Sequence, residues 1–171
     1  MKKIILALTI GLFYVPISFA EIQITVNAML VDPACTVTDG KGAKELFVNF
    51  QNVDVNAIVK TPPKTFDVLI KDCNLNKMMN LYLSPKDNGY FSYNGTDVLA
   101  TTTAQLGIEF SDITSGKRKI NVQRYERITP IHSSSNSGKI SLSTQLVSNR
   151  SGTQLKMGPF TANVSLLVDY N

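Results

Sequence analysis

With 171 residues, 43% of them hydrophobic and 18% charged, the chain has length for about one domain. Its formal net charge is +4, and two of the basic residues, Lys2 and Lys3, sit in an N-terminal segment expected to be removed. The 17 basic residues less these two leave 15 against 13 acidic ones, a balance near +2 that argues against nucleic acid as a partner. Behind the two lysines, Ile4 to Val15 is apolar and Ser18-Phe19-Ala20 is a small-x-small site. That order reads as a secretory signal peptide over residues 1–20, cleaved after Ala20. The competing reading, a membrane anchor, fits poorly because a span needs roughly 20 apolar residues and this run has about twelve.

From Glu21 onward almost every apolar run alternates with period two, the signature of a half-buried strand. Ile22, Ile24, Val26, Ala28 and Leu30 alternate with polar residues, and Asp32-Pro33 closes that stretch. Leu46, Val48 and Phe50 alternate next, ahead of a Val/Asn-rich turn region and the breaker Pro62-Pro63. Phe66, Val68 and Ile70 lead up to Cys73, and Met79, Leu81 and Leu83 end at Ser84-Pro85. Asp87-Asn88-Gly89 and Asn94-Gly95 are turn signals around Tyr90, Phe91 and Tyr93. Leu106, Ile108 and Phe110 follow, and Ser115-Gly116 turns the chain into Ile120 and Val122. A polar loop is expected over Ser133 to Gly138, then a strand through Ile140, Leu142 and Leu146, and a last strand from Gly158 onward. No window carries a convincing helical repeat. The residues therefore predict one all-β domain, an antiparallel β-sandwich without internal repeats.

Two cysteines, Cys35 and Cys73, lie in the exported part, and in an oxidising compartment an isolated pair is most simply one disulfide. Two thiols and a distant lone histidine do not complete a tetrahedral zinc site, so no metal or other cofactor is expected. The two end strands raise a harder question. Ile22 to Leu30 carries neither charge nor proline, and the final strand from Phe160 on carries only Asp169. Exposed strand edges are an aggregation hazard that charge or proline normally blunts. Either the N-terminal strand pairs within its own sandwich, or it is given to another molecule by β-strand addition, which builds open-ended filaments.

Four stretches resemble the pilin subunits of chaperone–usher fimbriae of Gram-negative bacteria. They are EIQITVNAMLVDPAC ahead of and including Cys35; FDVLIKDC, ending at Cys73; LATTTAQLGIEFSD, Leu99 to Asp112; and GPFTANVSLLVDYN. The last has Gly158 at position fourteen from the end and Tyr170 at the penultimate position. The resemblance implies an incomplete immunoglobulin-like sandwich (residues 32–171) that lacks its last strand and is completed by a donor strand. Residues 21–31 would be that donor for a neighbour, with Ile22, Ile24, Val26, Ala28 and Leu30 filling the neighbour's groove. Gly158, Phe160, Ala162, Val164, Leu166, Val168 and Tyr170 would line this chain's own groove, and a periplasmic chaperone would hold it and the carboxylate of Asn171. The implied partners are that chaperone, an outer-membrane usher and neighbouring pilins, on a cell-surface fimbrium. Ala28 stands where the family commonly has glycine, which bears on how closely the strand seats. The short extension looks most like those of minor tip-adaptor subunits; a major shaft pilin is the alternative within the family.

Other chemistry is weakly signalled. His132 beside Ser133 to Ser135 has no nucleophile elbow and no nearby acid, so a solvated loop is expected and a hydrolase is not. Lys117, Arg118, Lys119, Arg124 and Arg127 read as a solvated strand face, or as a contact for an acidic partner. Tyr90, Phe91 and Tyr93 read as packing at a sheet end or as a sugar-binding patch. A self-complemented, monomeric adhesive domain is the alternative from a different class. The expected role is a non-enzymatic structural subunit.

Overall fold

In the computed structural model the described residues are 35–150 and 154–170. The expected signal peptide, residues 1–20, the expected donor residues Ile22, Ile24, Val26, Ala28 and Leu30, and Asn171 lie outside them. Among the described residues there are eleven strands and one short 3-10 turn, Val55–Lys60. The strands are β1 (Thr36–Asp39), β2 (Lys64–Lys71), β3 (Met79–Pro85), β4 (Tyr90–Tyr93), β5 (Thr96–Ala100) and β6 (Leu106–Asp112). They continue with β7 (Arg118–Ile120), β8 (Tyr125–Ile128), β9 (Ile131–Ser134), β10 (Ser137–Ser148) and β11 (Val164–Tyr170).

All pairings are antiparallel. One sheet has the order β1-β2-β10-β6-β5-β4, with β7 on β6 and β9 on β10; the other has the order β11-β3-β8. The period-two residues of the sequence become the core: Ile70, Leu81, Ile120, Ile140 and Leu142 are all 0% exposed. They form one cluster with Met79, Leu83, Leu99 and Phe110. Asn94-Gly95 is the two-residue turn that the sequence signals, with φ of 48° and 79°, and it joins β4 to β5. The predicted disulfide is present: Cys35 and Cys73, 38 residues apart, join the start of β1 to the end of β2.

Three expectations are corrected, and two strands were not foreseen. Leu46, Val48 and Phe50 alternate, yet residues 45–50 belong to no strand. Leu46 and Val48 are 42% and 37% exposed, and only Phe50 is buried. Alternation there has no ladder partner among the described residues to make it a strand. The last strand begins at Val164 and not at Gly158, because Gly158 is at φ 137° and Pro159 has no N–H to give a ladder. Part of the expected loop Ser133 to Gly138 is hairpin, with β9 running to Ser134 and β10 starting at Ser137. Finally, β1 and β8 carry too few apolar residues, in TVTD and YERI, to show a period.

Candidate functional site

Strand β11 is the edge of the three-stranded sheet: among the described residues it pairs only with β3, from Val164 opposite Pro85 to Tyr170 opposite Met79. An antiparallel edge turns the N–H and C=O of alternate residues away from its neighbour, free to pair with an added strand. Ala162, Val164, Leu166, Val168 and Tyr170 pack against the main core but are only partly buried. The intervening Leu167 points out and is 51% exposed. The row thus has the core on one side and incomplete cover on the other. Asp169 is the only charged residue in the strand, so little guards the edge.

Upstream, the segment leading into β11 is held without a ladder. The Thr102 N–H donates to the Thr161 carbonyl at 2.9 Å, and the Thr161 N–H donates to Thr102 Oγ1 at 3.0 Å. The Lys86 N–H donates to the Asn163 carbonyl at 3.0 Å. The Thr101 hydroxyl fixes the loop that carries Thr102 by accepting from the Thr103 N–H at 3.1 Å and contacting the Leu106 carbonyl at 3.0 Å. Phe160 packs on a second cluster made by Phe50, Ile58, Leu106, Leu146 and Leu155. Phe50 ends the unpaired stretch 45–50, so that stretch and the start of the C-terminal segment share one apolar floor. Phe47, 87% exposed, is an apolar neighbour that alternation did not single out, because it lies on the polar side of the period. At the other end of β11, Lys77 Nζ lies 5.7 Å from the centroid of the Tyr170 ring, within cation–π range.

The residues that could suggest other chemistry are occupied elsewhere. His132 is exposed on β9 opposite Gly138. The hydroxyls beside it bond within their own hairpin, Ser133 to the Ser137 carbonyl and Ser134 to Asn136 Oδ1. Three of the five basic residues in the stretch 117–127 form ion pairs: Arg118 with Glu126 at 3.0 Å, Lys119 with Glu109 at 2.7 Å, and Arg124 with Asp97 at 3.1 Å. This stretch therefore guards its own sheets more than it advertises positive charge. The Phe91 ring packs over Gly107, where an added Cβ would lie 2.8 Å from it, so Phe91 is packing at a sheet end. On the outer face of the large sheet, Asp67 accepts from Ser141 Oγ at 2.6 Å and from Lys139 Nζ at 3.0 Å. The Ser141 hydrogen bond, then that from Lys139, holds the Asp67 carboxyl below the ordinary aspartate range. A cleft of about 460 Å³ lies between Asp72, Cys73 and Asn74 on one turn and Ser135 and Asn136 on another.

Comparison with known proteins agrees with this geometry. A family model described as fimbrial protein matches residues 21–171. No curated protein matches the sequence. Among solved structures, the P pilus rod subunit PapA is similar with a TM-score of 0.60 at 12% identity, over 81% of this chain and 100% of that one. A chain from a chaperone–usher pilus studied for rod uncoiling gives a TM-score of 0.59 at 13% identity, over 91% and 98%. The P pilus adaptor subunit PapF gives 0.52 at 21% identity, over 82% and 98%. At these identities the likeness is one of fold.

Proposed function

The chain belongs to the fimbrial protein family, and we propose that it is a structural subunit of a chaperone–usher fimbria that joins its neighbours by donor-strand exchange. The observation that carries the proposal is the half-covered apolar row of β11, Val164, Leu166, Val168 and Tyr170, on a strand with one partner among the described residues. A strand laid along that edge would cover the row and satisfy the outward N–H and C=O groups. In the periplasm a chaperone supplies this strand; at the usher, the extension of the next subunit replaces it. Residues 21–31 of this chain in turn complete the preceding subunit. Burying each large aliphatic anchor is worth roughly 1.5–3 kcal/mol, so Ile22, Ile24, Val26 and Leu30 contribute on the order of 10 kcal/mol gross. Main-chain bonds add to that, and the cost of ordering the extension subtracts from it. The short extension favours a minor or adaptor position in the filament over a shaft position.

The test is to express the exported chain with and without a periplasmic chaperone, and separately to delete Glu21 to Val31. The full chain should accumulate only with the chaperone. The deletion should keep chaperone binding and lose attachment to the preceding subunit. A stable, soluble monomer formed without any chaperone would refute the incomplete-fold reading. Abundance in sheared filaments separates the two positions, since a shaft subunit is the dominant species and an adaptor a trace one.

A further inference from the structure

The outer face of the three-stranded sheet has an order that strand exchange at its edge does not use. In register across β11, β3 and β8 stand Leu167, Tyr82 and Tyr125, with Leu167 opposite Tyr82 and Tyr82 opposite Tyr125. All three point away from the core, because the flanking Leu81 and Leu83 are 0% and 1% exposed. Leu167 is 51% and Tyr125 65% exposed, and the two tyrosine rings lie 4.8 Å apart, tilted by 39°. The Tyr82 hydroxyl bonds to Gln123 Oε1 at 2.9 Å, which fixes that ring on the sheet. Two residues further along the strands is a second row, Asp169, Asn80 and Arg127. Its opposite charges stand two strand spacings apart, roughly 10 Å. That is too far for them to pair with each other, and neither side chain has an ion-pair partner among the described residues.

We propose that this face is a self-association surface whose occupant is the same face of a second copy of this chain. A two-fold axis in the interface plane, running along β3, reverses each row onto itself. Tyr82 then meets Tyr82 of the second copy, Leu167 meets its Tyr125, and Asp169 meets its Arg127, each of the last two contacts occurring twice. One operation therefore satisfies both the apolar row and the charged row, which is what an isologous contact requires. The charge order, acidic on β11 and basic on β8, is complementary to its own reversal and to no unreversed copy. Two rows of three residues are few beside the roughly 20–30 a side of a standard interface, so the contact is weak in free subunits.

The test is sedimentation velocity on the exported chain, with its chaperone bound if it is retained, over a concentration series to about 1 mM. The wild type should show a monomer–dimer equilibrium of the complex. Arg127→Glu and Asp169→Arg should each weaken it about tenfold, because symmetry makes each substitution count twice. The double variant should restore it. Tyr125→Ser should abolish it without changing chaperone binding, which checks folding. A wild type that stays monomeric at 1 mM, or a double variant no better than the singles, overturns the inference. The outcome is independent of strand exchange, which uses the edge of β11 and not this face.

Discussion

Strands β10 and β11 both send alternate aliphatic side chains into the same sandwich, but β10 lies between β2 and β6 while β11 has β3 alone among the described residues. The consequence is measurable in burial. Ile140, Leu142 and Leu146 of β10 are 0% exposed, whereas Val164, Leu166 and Val168 of β11 remain partly uncovered. A strand's pattern decides which face is apolar; the number of flanking strands decides how completely that face leaves water. In this protein the difference separates a finished part of the sandwich from a part whose apolar row is only partly covered.

Removing the disulfide strikes the finished side hardest. Cys35–Cys73 clamps β1 onto β2, which flanks β10. Its 38-residue separation makes the chain-entropy contribution about 4 kcal/mol. The Cys35→Ser, Cys73→Ser double variant should therefore lower the unfolding free energy in urea by about that amount. A loss under about 1 kcal/mol would mean that the clamp is not what secures the β1 edge.

The contrast itself is broken or confirmed by one pair of substitutions. Leu142→Ala opens a fully buried site and should cost about 3 kcal/mol, whereas Leu166→Ala, in the marginally stable chain refolded from urea without a donor strand, should cost about 1 kcal/mol. Adding a peptide that supplies the missing strand, as the extension of the following subunit would, should raise the Leu166→Ala cost toward that of Leu142→Ala, because the added strand completes the burial. Urea titrations of both variants, with and without peptide, measure this. Equal costs without peptide would show that β11 is already finished.

How much of this was legible follows from what period two can carry. Phe66, Val68 and Ile70, or Met79, Leu81 and Leu83, announce both a strand and its inner face, and the structure places them so. Leu46 and Val48 announce the same and have no ladder, since alternation is a property of one strand while pairing belongs to two. Strands β1 and β8 were invisible for the opposite reason: TVTD and YERI are made strands by neighbours that supply hydrogen bonds, not by their own apolar residues. The even-numbered row of β11 was readable from Val164 to Tyr170. That Thr102 and Thr161 secure its approach was not, because 59 residues separate them and neither carries a local signal.

Gly107 gives a smaller effect, again on the finished side. It sits in β6 under the Phe91 ring, and a Cβ built there would lie 2.8 Å from Phe91 Cζ and 2.9 Å from Val98 Cγ2. Val98 is fully buried and cannot retreat. Gly107→Ala should cost about 2 kcal/mol through overpacking, and Phe91→Leu in the same chain should recover part of it. Thermal unfolding of the single and double variants decides this. If the double is worse than the single, the ring is not the obstacle.

The smallest effect is electrostatic and belongs to the pairing of β2 with β10. Asp67 stands opposite Ser141 in that ladder and takes hydrogen bonds from Ser141 and Lys139, both of which favour the ionised carboxylate. Its pKa is therefore lower in the folded chain than the ordinary value of 3.8. A group whose folded pKa is depressed stabilises fully above its unfolded value and loses that contribution as pH falls through the folded value. The contribution should thus be intact at pH 7 and disappear below about pH 4. With Lys139 40% and Asp67 41% exposed, solvent screening keeps it under about 1 kcal/mol. Asp67→Asn should lower stability slightly at neutral pH and should narrow the gap between pH 7 and pH 3 relative to wild type. Comparing the two gaps cancels the carboxylates that both chains share, such as Glu109 and Asp97. An unchanged gap would mean that the Ser141 hydroxyl and the Lys139 ammonium exchange freely with water, and that β2 and β10 are held by their ladder and their buried side chains alone.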